Sequence, residues 1–571
     1  MPKLFSKADI AKINEVAAKS KETSANLKPT KAKTVNAELN AIMEKVRNYF
    51  KDSDAILITT KDQLHDYITK FIEVGIGGID TETTGLDRIN DHIVGSSLYY
   101  PGGVEAYIPN THLVPIFDEP YKNQLSYEDV GEEFQRLVDA RCKMIFANAD
   151  FDLSFLYKDY GVDMCDVCYY DVILAWRCMK ENEKDNALKV LYNKYVLKGK
   201  GDPMKFNDFF SPVLFPYCKP EVAKLYAAND AKITYELYVW QLPYCTADHP
   251  KCKKNHLEAI SSLIWNVEIP MIKVCQMLHR RGVYIDQNVV KELQNRYHTA
   301  QNKEVAKLQE LVQDLIDNAS YTSSTKRPFN TGKDFNEASP VHVRYLVYTM
   351  LGWPSGKSQS TDKEVLKAVN HPVTNQILVV RSLTKLIGTY IDKLPKVVAS
   401  DGKIHARFNS IGADTGRMSS ADPNMQNIPS HAEDIRHMFR ATPGYVMLSS
   451  DYSAQEPRIT AYVSQDPKMI QSFKEGKDIY ASIASIAFNV PYEQCLEFHP
   501  ETGEYQPDGK KRRSEAKTVV LGRPNRFQVL AIKTNAPSVE AIVHRLLRVN
   551  FVNCITHRCI AHGSVSVGND S

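Results

Sequence analysis

The sequence predicts a multidomain protein of the α/β class, with strands and helices alternating in its first half and helices dominating its middle. Short β-branched or aromatic runs bounded by Gly, Asp or Pro indicate strands, and they lie at 55–59, 75–80, 92–100, 105–109 and 143–148. Helical patterns lie near 62–74, 128–140, 150–160 and 220–242. The length of 571 residues accommodates three or four domains of about 150 residues each.

The composition narrows the class of protein. Hydrophobic content of 43% with 24% charged residues is typical of an ordinary soluble protein. The chain has no apolar leader and no run of about 18 apolar residues, so we expect a cytoplasmic protein with no membrane partner. Its 11 scattered cysteines indicate reduced thiols. The net charge is 71 − 68 = +3, so any surface that binds nucleic acid must be local.

The organisation along the chain follows from shifts in these patterns. Residues 1–54 are predicted to form a Lys-rich helical arm, of which the first 36 residues are expected to be either solvated or in contact with nucleic acid. An α/β domain follows over 55–244. The polar stretch 245–256 is predicted to be a linker, and it opens a helical region that extends to residue 402. A second α/β region begins at Lys403.

A pair of acids ends the second predicted strand. Asp80 and Glu82 are two residues apart, and alternation along a strand turns both side chains to the same face. Two carboxylates so close repel each other unless a cation lies between them. A D-x-E pair by itself is weak support for a metal site, because surface acids commonly have this spacing.

Two further segments supply more acids and a tyrosine that could lie near this pair. The run from Ile145 to Asp152 indicates a strand leading into a helix, with Asn148 as the predicted N-cap and Asp152 in the first turns. Tyr226 and Asp230 are four residues apart on a predicted helix and therefore share one face. Four acids could then converge at one sheet edge, and carboxylate oxygens are the ligands that Mg²⁺ and Mn²⁺ prefer.

These three segments resemble the exonuclease motifs of the DEDD superfamily, in its tyrosine-bearing subgroup. The subgroup includes proofreading exonucleases of DNA polymerases and RNase D-like exoribonucleases. The resemblance implies an RNase H-like domain, a mixed sheet flanked by helices, that uses two Mg²⁺ or Mn²⁺ ions. It assigns Tyr226 to positioning the attacking water, and it implies these metal ligands: Asp80, Glu82, Asp152 and Asp230.

Three later segments separate the DNA branch from the RNA branch. Residues 415–429, TGRMSSADPNMQNIP, are rich in turn formers and in amide and guanidinium donors that suit contacts to nucleic acid. Residues 446–450 are predicted to form an apolar strand that delivers Asp451. Residues 510–517, KKRRSEAK, are predicted to open a helix on which Arg513 and Lys517 can bind a polyphosphate.

Together these segments resemble family A DNA polymerases, particularly the phage-type members, over about residues 55–522. The resemblance implies a helical thumb followed by a partial α+β palm. It assigns Asp451 to metal binding and catalysis, and implies that the nucleotide is bound by Glu456, Arg513 and Lys517. Arg417, Gln426 and Asn427 are expected to contact DNA. In this reading the partners are primer–template, single-stranded 3′ ends and deoxynucleoside triphosphates.

The sequence departs from the family after Gly522. Arg523 and Pro524 follow, and proline would end the helix before the expected tyrosine, in whose place Asn525 stands. No His-Asp-Glu triplet, the family's source of a second catalytic aspartate, occurs between Gly509 and Ser571. We therefore expect a frameshifted or interrupted polymerase domain and a tail, 523–571, of another origin. The Cys/His cluster at 554–562 has spacing too tight for zinc, and Cys165 and Cys168 are expected to be packed thiols.

The predicted function is that of a replicative family A DNA polymerase with a 3′–5′ proofreading exonuclease, of which this chain retains the exonuclease and DNA binding. Two alternatives remain at this stage. One is an RNase D-like exoribonuclease, against which the polymerase-like segments from residue 403 onward count. The other is an inert DNA-binding fragment.

Overall fold

A six-stranded mixed sheet forms the centre of the first half of the protein. The computed structural model describes residues 29–521, except for gaps at 116–117, 181–182, 184–185, 202–205, 211–213, 319–326, 355–358, 414–415 and 430–431. The chain divides into two compact units, one up to Val446 and one from Met447 onward. The predicted tail features, Arg523, Pro524, Asn525 and the Cys/His cluster, lie outside the described residues.

The strands are short and belong mostly to the first unit. They are β1 (Ile56–Leu57), β2 (Ile76–Thr83), β3 (Ile93–Tyr99), β4 (Ala106–Pro109), β5 (Leu113–Val114), β6 (Glu119–Pro120), β7 (Lys143–Phe146), β8 (Cys168–Asp171), β9 (Val283–Tyr284), β10 (Lys403–Ile404), β11 (Arg407–Asn409) and β12 (Ser419–Ala421). All five predicted strands of the first domain are confirmed. Strand β8 is not among them.

The α-helices account for most of the remaining described chain. They are α1 (Pro29–Tyr49), α2 (Lys61–Val74), α3 (Tyr127–Asp139), α4 (Ala149–Asp159), α5 (Val172–Met179), α6 (Leu188–Leu191), α7 (Phe206–Phe209), α8 (Pro220–Gln241), α9 (Pro250–Lys254), α10 (Glu258–Leu263), α11 (Ile269–Arg281), α12 (Gln287–Asp317), α13 (Pro340–Arg344), α14 (Lys363–Val369), α15 (Pro372–Leu386), α16 (Glu433–Arg436), α17 (Gln455–Ser464), α18 (Pro467–Lys474), α19 (Ile479–Phe488) and α20 (Pro507–Leu521). None of these helices is both long enough and apolar enough to cross a membrane.

The large sheet has the strand order β1-β4-β3-β2-β7-β8. Strands β2, β3 and β4 are antiparallel to their neighbours within this trio, and β1, β7 and β8 add to it in parallel pairs. Helices cover both faces. On one face the apolar sides of α2, α3 and α4 pack against β2 through Ile79. On the other, α8 packs with α1 and α7. This is the mixed, helix-flanked sheet that the sequence predicts.

Local sequence explains where these helices begin and end. Helix α2 begins at a capping box, in which Thr60 accepts from the amide of Gln63 and the Gln63 side chain accepts in return; it ends at Gly75, which has a left-handed φ of 74°. Helix α3 is capped by Ser126. Their apolar stripes then face the sheet, where Leu64, Phe71 and Phe134 are fully buried.

A long helical region follows the sheet domain, as predicted. Helix α12 packs along α15 and forms an apolar cluster that includes Leu308, Val312 and Ile377. The ends of this region are held together by pairing of β9 with β10. Beyond it, β11 and β12 form a hairpin. The second unit, as far as it is described, contains α17 to α20 around a small core centred on Ala481 and Ala484.

Two parts of the predicted organisation are wrong in detail. Residues 37–49 are not a free arm, because Leu39, Met43 and Val46 are buried against the sheet domain. The stretch 245–256 is not a simple linker. It contains α9, it buries Cys245 and Cys252, and the carbonyl of Cys245 accepts hydrogen bonds from Ser261 and Trp265.

Two predictions near the polymerase-like segments are also wrong. Residues 446–450 form no strand, and Val446 and Leu448 are each 90% exposed. A strand needs a neighbour for its backbone hydrogen bonds, and the described residues supply none here. Helix α20 begins at Pro507 and not at the KKRR run. Arg513 therefore lies well inside the helix, away from the N-terminal amides.

Candidate metal centre

Strand β2 directs its two acids toward helix α8. Ile79 and Thr81 alternate with Asp80 and Glu82, and the fully buried Ile79 belongs to the apolar layer on the opposite face of the sheet. Helix α8 approaches the strand closely at Gly78, where a β-carbon would lie 2.0 Å from the carbonyl oxygen of Ala231. The glycine thus allows the backbone of the helix to lie directly beside the acids.

Helix α8 supplies the third acid and a tyrosine. Tyr226 and Asp230 are both buried and lie one turn apart, as the spacing predicts. Ligand oxygens of Asp80, Glu82 and Asp230 all lie within 4.8 Å of one another. The structure therefore brings together three of the four predicted metal ligands.

The chemistry of this cluster fits a divalent cation. Burial, followed by the neighbouring carboxylates, holds the pKa of Asp80 well above its usual range, and burial raises the pKa of Glu82 to about 8. Oδ1 of Asp230 is buried and accepts no hydrogen bond. Carboxylate oxygens that converge in this way are the donors that Mg²⁺ and Mn²⁺ take.

Asp152 is close enough to the cluster for its charge to raise the pKa of Asp80, but its carboxylate is hydrogen-bonded to Thr81. Its Oδ1 accepts hydrogen bonds from the amide of Thr81 at 3.0 Å and from the Thr81 hydroxyl at 2.6 Å. Burial raises the pKa of Asp152 to about 7, and these hydrogen bonds oppose that increase. Its role as a fourth metal ligand stays a prediction.

The turn that positions Asp152 is built by a residue without a predicted role. The carboxylate of Asp171 accepts hydrogen bonds from the amides of Asn148 and Ala149, at 3.1 and 2.7 Å. Asn148 does occupy the N-cap position of α4, but its side chain makes no capping hydrogen bond. The predicted N-cap position of Asn148 is therefore confirmed, but the carboxylate that accepts from the first amides comes from the neighbouring strand β8.

A cation also lies in the cluster, and the sequence pattern gave no sign of it. Nζ of Lys189, on helix α6, is 3.0 Å from Oδ1 of Asp230 and 3.5 Å from the centroid of the Tyr226 ring. The other sides of this ring contact an aromatic cluster formed by Phe50, Phe206, Phe209 and Phe210. Burial raises the pKa of Tyr226 above its usual range, so the hydroxyl stays protonated.

The predicted DNA contacts of the first unit lie on its surface. Arg417 is exposed near the tip of the β11–β12 hairpin, and Gln426 and Asn427 are exposed in the turn that follows β12. The backbone of this turn is held in place by a hydrogen bond, which the Tyr390 hydroxyl donates to the carbonyl oxygen of Asn427. Gln426 and Asn427 are thus exposed on a turn whose backbone is anchored.

In the second unit, three predicted nucleotide-binding residues surround a residue that carried no prediction, Tyr480. The guanidinium of Arg513 and the ammonium of Lys517 lie 5.5 and 5.6 Å from its ring centroid. Burial and the charge of Glu456 raise the pKa of Tyr480. Nε of Arg513 also donates a hydrogen bond of 2.8 Å to Oδ2 of Asp478, the N-cap of α19, and Nη2 lies 2.8 Å from the same oxygen in an ion pair. Asp451 is exposed.

Comparison with known proteins places these features in a family. Residues 55–239 match the family model described as 3′–5′ exonuclease, and residues 302–522 match the model described as DNA polymerase family A. The chain therefore carries a 3′–5′ exonuclease domain at residues 55–239, ahead of a family A DNA polymerase domain match at residues 302–522. The polymerase match ends at residue 522; the phage source and the interrupted polymerase domain stay predictions.

Curated relatives agree with this assignment. The chain is 28% identical over 486 residues to DNA polymerase I of Chloroflexus aurantiacus, covering 80% of this chain and 45% of the relative. It is 27% identical over 446 residues to DNA polymerase I of Pseudomonas aeruginosa, covering 75% and 45%. Against the thermostable DNA polymerase I of Thermus aquaticus it is 35% identical over 254 residues, covering 42% and 28%. The chain thus spans less than half the length of these relatives.

A solved structure has the same fold. The POL domain of Pol1 from M. smegmatis, in complex with DNA primer-template and dNTP, matches with a TM-score of 0.66 at 19% identity. The match covers 90% of this chain and 80% of that chain. At this identity the likeness confirms the predicted fold class, an exonuclease-type sheet domain followed by a polymerase-type helical region.

Proposed function

We propose that this protein removes nucleotides from the 3′ ends of DNA and serves as the proofreading part of a family A polymerase in DNA replication. The observation that carries this proposal is the cluster of Asp80, Glu82 and Asp230 next to the buried Tyr226, in which Asp230 is buried and the other two acids are half-buried. The polymerase match over residues 302–522 favours the DNA branch over an RNase D-like enzyme.

In this proposal two Mg²⁺ or Mn²⁺ ions would be held by Asp80, Glu82 and Asp230. Asp152 would join them after its side chain turns away from Thr81. Such ions, when bound, polarise the scissile phosphate and lower the pKa of a coordinated water. The chain contributes the negative ligands at fixed positions on β2 and α8. Because the acids are buried or half-buried, solvent screens their charges less than it would on an exposed surface, which strengthens the electrostatic interactions there.

Tyr226 has a separate role in the proposal. Its ring is held by the aromatic cluster, so the hydroxyl has one well-defined position near Asp230. The burial that raises its pKa keeps the hydroxyl protonated and able to donate a hydrogen bond. We therefore propose that the hydroxyl orients the attacking water and does not itself remove a proton.

For the polymerase region we propose DNA and nucleotide binding without efficient synthesis. Arg417, Gln426 and Asn427 would contact primer–template, and Glu456, Arg513 and Lys517 would contact a deoxynucleoside triphosphate, as the resemblance implies. Asp451 would be a metal ligand, but in the described part of the chain no acid cluster includes it. A protein that acts on DNA in replication would work in the cytoplasm, of the host if it is phage-encoded.

A nuclease assay tests this proposal. The purified chain with Mg²⁺ or Mn²⁺ should shorten a 5′-labelled single-stranded DNA from its 3′ end, and it should degrade RNA of the same sequence far more slowly. Asp80→Ala combined with Glu82→Ala should abolish the activity, since the ligands are lost. Asp52→Ala with Asp54→Ala, two exposed acids at the same spacing, is the matched control and should digest like the parent. Faster cleavage of RNA would support the exoribonuclease alternative instead.

A further inference from the structure

Lys189 is in contact with the acid cluster, although neither family resemblance nor sequence spacing gives it a role. It lies on α6, a single helical turn that continues into a π-helical turn, Tyr192–Val196. Its side chain is 15% exposed and that of its partner Asp230 is 12% exposed. An ion pair this well shielded is a strong electrostatic contact, because little solvent screens it.

The position of the ammonium is that of a counter-ion for the whole cluster. Nζ lies 3.0 Å from Asp230, whose oxygens are within 4.8 Å of ligand oxygens of Asp80 and Glu82. Burial raises the pKa of Asp80, of Glu82 and of Asp230, and the charge of Lys189 opposes this increase at all three. Without a cation, burial of several carboxylates side by side is costly.

The carboxylate of Asp230 is not the only favourable partner of the Lys189 ammonium. Both Nζ and Oδ1 are buried, yet the two atoms do not form an aligned hydrogen bond. Lysine is a point charge on a flexible stem of four carbons, and the face of the Tyr226 ring, 3.5 Å away, offers the ammonium a second favourable contact. The ammonium can therefore move away from the carboxylate and still keep a favourable contact with the Tyr226 ring.

We propose that Lys189 is an internal counter-ion of the metal centre, which pairs with Asp230 in the metal-free protein and is displaced from it when a divalent cation binds. Lys189 is then a positioning residue that acts through Asp230. It keeps the acids assembled before the metal arrives and competes with the metal for the same oxygen. This inference rests on the proposed function, because it assumes that the acid cluster binds metal.

The test compares Lys189→Met with Lys232→Met in the full chain. Lys232 is a matched control, since its Nζ pairs with Glu105 at 2.5 Å and lies 5.9 Å from the centroid of Tyr99, outside the acid cluster. Mn²⁺ binding is measured at pH 7.5 from the EPR signal of free Mn²⁺, and the Asp80/Glu82 double alanine variant gives the background. Melting temperatures are recorded in EDTA and in Mn²⁺.

We expect Lys189→Met to bind Mn²⁺ about tenfold more tightly than the parent, a coupling of ordinary size between two ligands. In EDTA its melting temperature should be lower, and Mn²⁺ should raise it by more than it raises that of the parent. Lys232→Met should bind like the parent. Lys189→Gln, which is also neutral, should behave like Lys189→Met. If the methionine variant does not fold, the glutamine variant is used to test the counter-ion proposal.

Three outcomes would overturn the proposal. Two of them reject the counter-ion alone, and the third rejects the metal centre. Equal Mn²⁺ affinity and equal stabilisation by Mn²⁺ in the parent and both Lys189 variants would reject the counter-ion alone and leave the metal centre standing. Weaker Mn²⁺ binding by the neutral variants would reject it in the same way. No Mn²⁺ binding above background by the parent would instead reject the metal centre itself, and with it the proposed function.

Discussion

Gly78 of strand β2 and Ala231 of helix α8 are in direct backbone contact: a β-carbon on residue 78 would lie 2.0 Å from the Ala231 carbonyl oxygen. This contact sets the distance between the strand that carries Asp80 and Glu82 and the helix that carries Tyr226 and Asp230. The geometry of the acid cluster therefore depends on a residue that has no side chain and no chemistry of its own.

Gly78→Ala should lower both stability and nuclease activity. The added methyl group would push α8 away from β2, and overpacking of this kind costs about 1–3 kcal/mol. Loss of activity should exceed what the stability change explains, because the acids move apart. Thermal melting and the nuclease assay measure the two effects. Gly388→Ala is the control, since a β-carbon there meets nothing within 4 Å. Normal activity of Gly78→Ala would show that the contact does not position the site.

Tyr226→Phe should reduce the exonuclease rate by about 10²-fold, the lower end of what a positioned proton donor or acceptor contributes. The ring and its aromatic contacts remain, so the melting temperature should change little. The comparison is Tyr238→Phe, another buried tyrosine three turns along α8, which should keep full activity. If the Tyr226 variant loses stability and keeps its rate, the hydroxyl serves packing and not catalysis.

The metal-free protein should become less stable as the pH rises. Burial raises the pKa of Glu82 to about 8 and that of Asp152 to about 7, so the folded state retains protons that the unfolded chain has already released. The stability that these two acids contribute is then lost between about pH 4, the ordinary carboxyl range, and about pH 8.

Melting curves in EDTA across this range check the sign. Glu82→Gln mimics the protonated acid, so the variant should lose less stability than the parent between pH 5 and pH 8. The two curves should converge at low pH, where Glu82 is protonated in the parent. Parallel curves over the whole range would mean that Glu82 titrates as an ordinary exposed acid, against the buried site described above.

Primer extension should be very weak. Asp451 is exposed, follows a segment that forms no strand, and belongs to no acid cluster among the described residues. Nucleotide binding without aligned metal ions gives no stabilisation of the transition state. The assay uses the Asp80/Glu82 double variant with all four deoxynucleotides, so that digestion does not hide synthesis. Strong extension that Asp451→Ala abolishes would contradict this prediction and reveal a second carboxylate partner.

Local periodicity accounts for the parts of the site that the sequence predicts. Alternation placed Asp80 and Glu82 on one face, and the four-residue spacing placed Tyr226 and Asp230 together on a helix. Both are properties of a single element. The same rule failed at residues 446–450, where an apolar run indicates a strand but a strand also requires a neighbour to pair with.

The residues that the sequence did not predict all act across elements. Lys189 reaches Asp230 from a short helix 41 positions earlier in the chain, and Asp171 caps a helix that begins before its own strand. Tyr480 is a buried aromatic residue whose charged neighbours come from α17 and α20. No spacing rule links such positions, because their proximity results from how the helices pack on the sheet.

The most direct test of the metal centre is an anomalous difference map from crystals of the full chain soaked in Mn²⁺. We predict a peak at coordination distance, about 2.0–2.1 Å, from carboxylate oxygens of Asp80, Glu82 and Asp230. We also predict that the Lys189 ammonium is no longer paired with Asp230. A map with no peak among these three acids, at an Mn²⁺ concentration that supports nuclease activity, would contradict it.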